Sequence, residues 1–61
     1  MEKITLEIRT ENAAFDNEPG IEIARILRQI AGRFEVLGDD SSGRIVDING
    51  NKVGYVNIYE S

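Results

Sequence analysis

Apolar residues recur at helical spacing between residues 18 and 35 and alternate with polar ones in shorter runs on either side. At about 100° per residue, Ile23, Leu27, Ile30 and Phe34 fall in a narrow wedge flanked by Ala24, Ile26 and Ala31. Glu22, Arg25, Arg28, Gln29, Gly32, Arg33 and Glu35 lie opposite, and Ile21 is the one apolar residue stranded on the polar side. This pattern predicts an amphipathic helix with Leu27 in its core stripe, where truncation to alanine is expected to cost about 2–5 kcal/mol. Asp16 or Asn17 offers a cap acceptor, Glu18 an acid at the positive end of the helix dipole, and Pro19 a first-turn residue that needs no amide partner. Gly32 weakens the last turn, and Gly38 is the expected stop.

Residues 3–9 place Ile4, Leu6 and Ile8 on one side and Lys3, Thr5, Glu7 and Arg9 on the other, which predicts a half-buried strand. Phe15, just ahead of the helix, is expected to pack against its first turns. Residues 38–43 read as a turn-rich loop. Residues 44–48 and 52–59 then form a hairpin about Asn49-Gly50, a pair that tolerates positive φ. The resulting expectation is an α+β fold of order β-α-β-β: a three-stranded, mainly antiparallel sheet, strand order 2-3-1, with one helix on one face. Strand three is apolar on both sides, with Val53, Tyr55 and Tyr59 against Val56 and Ile58, as suits a central strand.

One helix covers only one face of a sheet, so some apolar surface should remain outside. A two-residue loop would put Val46, Ile48, Val53, Tyr55 and Tyr59 on one face and send Val56 and Ile58 outward. An odd-length loop reverses this. A bulge at Gly54 would turn Val53, Val56 and Ile58 inward and leave Ile45, Tyr55 and Tyr59 outside. Those last three are the expected partner-binding residues, because tyrosine brings large apolar area at low rotamer cost and is enriched at interface hot spots.

The 61 residues, with a net charge of −4 and neither cysteine nor histidine, make one small domain spanning 1–61. Such a domain buries only about 60% of its unfolded surface, and with disulfides excluded, oligomerisation is the remaining means of reinforcement. Triad chemistry needs a histidine base or a thiolate, and no acid occupies an obviously buried position, so the chain is read as non-enzymatic with no cofactor and no metal. Asp47-Ile-Asn-Gly-Asn51 spaces oxygens like the start of a calcium loop, but Lys52 and Ile58 stand where its glycine and glutamate belong. A hairpin turn explains it. The acidic balance disfavours duplex binding, leaving Arg25, Arg28 and Arg33 as the one basic cluster on the helix.

At Glu11-Asn-Ala-Ala-Phe15, Pro19-Gly20, Glu22-Ile-Ala-Arg-Ile-Leu-Arg28 and Asp47-Ile-Asn-Gly-Asn-Lys-Val-Gly54, the chain resembles small uncharacterised proteins encoded by phages, prophages and mobile elements. The resemblance implies a setting rather than a mechanism, namely a small protein that binds and inhibits a host factor. Asn12, Phe15, Asp47, Asn49 and Gly50 would hold the loops in place. The leading expectation is a binding module that forms a homodimer or docks on a host protein through its outer sheet face. The alternative is a nucleic-acid-binding module using the sheet or the Arg25, Arg28, Arg33 face. MEKITLEIRT lacks the apolar run of a signal peptide and no stretch approaches the ~20 apolar residues of a membrane span, so the expected location is cytoplasmic.

Overall fold

The computed structural model describes residues 1–60. Strand β1 (Lys3–Ile8) leads through a 3-10 turn (Ala13–Phe15) to helix α1 (Pro19–Leu37), a second 3-10 turn (Gly38–Asp40), and the hairpin of β2 (Gly43–Val46) and β3 (Lys52–Tyr59). The three strands form one antiparallel sheet in the order β1-β3-β2, the order that the two-sided character of β3 predicts. Pro19 opens the helix as expected, but Glu18 occupies the capping position without a side-chain bond. The helix closes at Gly38, whose amide donates to the Phe34 carbonyl.

The core contains Phe15, Ile26, Ile30, Ile45, Val53 and Val56, with Ile8, Ala14, Ile23 and Phe34 packed around it. Two expectations are corrected here. Leu27 is 45% exposed whereas Ile26 is 1% exposed, so the core-facing meridian of α1 is rotated by roughly 50°, half of one residue's step. The cause is polar. Glu22 and Arg33, assigned to the solvent side by periodicity, reach the β2 side of the molecule: Glu22 accepts from the Ile48 amide, and Arg33 donates to the Ser41 and Arg44 carbonyls. These bonds turn the helix towards β2 and Leu27 away from it.

The second correction is Ile45, expected on the outer face and found 2% exposed in the core. Cross-strand partners share a face, and Ile45 lies opposite Gly54, on the same side as Val56. The hairpin loop is of odd length. Asp47 and Asn51 are bonded through their backbones at its base, the Gly50 amide donates to the Asp47 carbonyl, and Gly50 alone in the loop adopts positive φ, at 84°. This is a type I turn with a glycine bulge rather than the mirror-image two-residue turn. The register then slips between Ile45 and Val46, opposite Gly54 and Lys52, leaving Val53 as the extra residue and turning it inward. Gly54 is required by close approach, since a Cβ there would overlap the Glu7 carbonyl.

The helix covers the β2–β3 side of the sheet and the end of β1 at Ile8. Further along the same face, Ile4 and Leu6 remain 42% and 41% exposed. Among the described residues no helix is long and apolar enough to cross a membrane.

Candidate functional site

Two regions of the surface carry chemistry, and they differ in kind. At one end, the hairpin turn, the first 3-10 turn and the start of α1 converge on two buried carboxylates. Asp47 Oδ1 accepts from the Asn49 and Asn51 amides, both at 2.9 Å. Its Oδ2 accepts from Asn12 Nδ2 at 2.8 Å and, more weakly, from Asn51 Nδ2. Asn12 Oδ1 in turn accepts from the Ala14 amide. Glu22 Oε1 and Oε2 receive Nε and Nη2 of Arg25 at 2.8 and 2.9 Å, a bidentate pair, and Oε2 also takes the Ile48 amide at 3.0 Å.

Burial works to raise the pKa of Asp47, but bonds from the Asn51 amide, Asn12, the Asn49 amide and the Asn51 side chain outweigh it and hold the group below its ordinary value. The Arg25 side chain lowers that of Glu22 against the opposing effect of burial, helped by the Ile48 amide. Arg25 is raised in return. Both acids are therefore held ionised by N–H donors, and neither keeps a proton to give as a general acid near neutral pH. The expectation that no acid is buried is thus corrected. Its signal lay in Asp47-x-Asn-x-Asn51, the spacing of a side chain that caps its own turn, and in Glu22 placed three residues before Arg25.

This cluster is a latch. Asn12 and the Asn49 and Asn51 amides converge on Asp47, Gly50 takes the positive φ of the turn, Phe15 packs in the core beneath, and no buried side-chain N or O atom among the described residues lacks a partner. An open depression of about 280 Å³ beside it is lined by Arg9, Glu11, Asn12, Lys52 and Val53. The helix arginines are divided in role: Arg25 is tied to Glu22 and Arg33 to two carbonyls, which leaves Arg28 as the exposed member of the trio.

At the other end the sheet is bare on both sides. Tyr55 and Tyr59 lie on the face away from the helix, 40% and 46% exposed, while Ile45 sits on the opposite face. Across β1, Glu7 pairs with Tyr55 and Lys3 with Tyr59, and the outer face is completed by Thr5, Asn57 and Arg44. Lys3 Nζ lies 4.8 Å from the Tyr59 ring centre and Lys52 Nζ 5.5 Å from that of Tyr55, so each ring has a cation over its face. On the inner face, Ile4 and Leu6 lie opposite Ile58 and Val56.

No protein-family model, curated protein or solved structure matches this chain.

Proposed function

We infer that the protein is a non-enzymatic binding module that engages protein surfaces through the bare face of its sheet, as a homodimer or on a host protein in a phage or mobile-element setting. The observation carrying this reading is the pair Tyr55 and Tyr59, exposed on the face that the helix leaves uncovered and each backed by a lysine. Tyrosine rings offer large apolar area with little side-chain freedom to lose on docking. Support also comes from the two buried carboxylates, Asp47 and Glu22, whose oxygens are engaged by N–H donors within the latch. Engagement of Arg25 and Arg33 within the chain weakens the case for a nucleic-acid surface on the helix.

The test is the double variant Tyr55→Ala/Tyr59→Ala, compared with the parent by light scattering and by capture from host lysate. The variant should lose self-association or capture while keeping its helical circular dichroism. If it unfolds, or if both readouts are unchanged, the sheet-face reading fails.

A further inference from the structure

The two edges of the sheet are unequal. β2 is four residues long, and its outer side is occupied where Arg33 binds the Arg44 carbonyl. β1 is six residues long and its outer edge has no strand partner among the described residues. The Arg9 amide bonds the Val53 carbonyl at 2.7 Å, which sets the alternation of the ladder. Odd-numbered residues of β1 direct their N–H and C=O groups to β3, and those of Ile4, Leu6 and Ile8 point away from it. A long, flat edge with apolar side chains is a template for another strand.

From this geometry we propose that β1 is a homodimerisation edge, pairing antiparallel with β1 of a second copy about a two-fold axis through Thr5. The proposal goes beyond the sheet-face reading, because it concerns the edge and leaves Tyr55 and Tyr59 free. The register follows from three constraints. Keeping Ile4 and Leu6 on one continuous apolar face requires the paired residue numbers to have the same parity. Placing the axis at Thr5 sets Ile4 opposite Leu6 of the second copy as a hydrogen-bonded pair, using the outward groups that the ladder leaves free. It also sets Lys3 opposite Glu7 in both symmetry-related non-hydrogen-bonded pairs, where side chains approach most closely. Moving the axis to Leu6 would put Lys3 against Arg9, and moving it to Ile4 would put Lys3 against Thr5, so neither keeps the two Lys3–Glu7 pairs. Charge complementarity therefore selects a second copy of this chain in the Thr5 register. The resulting six-stranded sheet joins the exposed Ile4 and Leu6 of both copies and carries four tyrosines on one outer face.

The experiment is sedimentation equilibrium on four samples: the parent, Lys3→Glu, Glu7→Lys, and an equimolar mixture of the two variants. Lys3→Glu alone sets two acids against each other at both ends of the contact, and Glu7→Lys alone sets two bases against each other there. Each should weaken the dimer roughly tenfold or more, with circular dichroism unchanged. In the mixture, the acid introduced at position 3 of one chain meets the base introduced at position 7 of the other, and the unaltered Glu7 meets the unaltered Lys3. A heterodimer of near-parental affinity should therefore return. A parent that stays monomeric at high micromolar concentration overturns the edge proposal, while tyrosine-dependent capture of a host protein would still sustain the sheet-face reading. A parental dimer indifferent to both charge changes, or variants whose mixture fails to re-associate, also overturns it. If Tyr55→Ala/Tyr59→Ala dissolves such a dimer, the sheet face rather than the edge is the contact.

Discussion

The latch end and the open end of this molecule use the same three strands to opposite effect. Around Asp47 and Glu22, polar side chains are drawn inward and no buried side-chain N or O atom among the described residues lacks a partner, so the hairpin turn, the 3-10 turn and the helix start become one unit. Around Ile4, Leu6, Tyr55 and Tyr59 the backbone is equally regular, yet its side chains have no second layer to cover them. The difference teaches that a helix of fixed length covers what its polar anchors select. Glu22 and Arg33 bind the β2 side, and β1 is left bare.

The largest expected effect tests the closed half. Ile26→Ala should cost about 2–5 kcal/mol, comparable with the whole stability of about 3–9 kcal/mol for a domain of this length, and the chain should melt at or below room temperature. Leu27→Ala, one residue away on the exposed side, should lower the melting temperature far less. Equal losses would restore the helix face that periodicity alone predicts.

Gly54→Ala should come next, at about 1–3 kcal/mol, because the added methyl group meets the Glu7 backbone rather than a flexible side chain. Chemical denaturation reads it directly. A neutral result would mean that the β1 backbone at Glu7 leaves room for a methyl group on Gly54.

Asp47→Asn sharpens the contrast through pH. Both Asp47 and Glu22 have lowered pKa values in the folded state, so their contribution is fully present above the ordinary carboxylate range and is lost as pH falls through the lowered folded values. The parent should therefore lose stability progressively below about pH 4, and Asp47→Asn should be less stable at neutral pH with a shallower acid dependence. An unchanged slope would remove Asp47 from the latch.

Smallest in stability is Glu7→Lys, on the exposed edge: at a concentration low enough that parent and variant are both monomeric, its melting temperature should stay within a few degrees of the parent, since such surface changes are usually worth within about 0.5 kcal/mol. A large loss would show that the open end contributes more to folding than its exposure indicates.

Local pattern in the sequence was enough for the element types, the central place of β3 and the glycine stop of α1, while the side taken by Tyr55 and Tyr59 was left open between two loop parities. Each rests on periodicity or turn chemistry within a few residues: alternation in β1, helical spacing in α1, Asn49-Gly50 in the hairpin. The face of α1 and the side taken by Ile45 were decided elsewhere. Leu27 and Ile26 are equally apolar, and the choice between them goes with the bonds from Glu22 to residue 48 and from Arg33 to residues 41 and 44 and with the packing of Ile26 against Ile45, Val53 and Val56. Ile45 follows the parity of a loop whose length is set by Gly50 at positive φ and by Asp47 binding the amides of residues 49 and 51. Those contacts join segments distant in the chain, so their outcome exists only once the tertiary structure has formed.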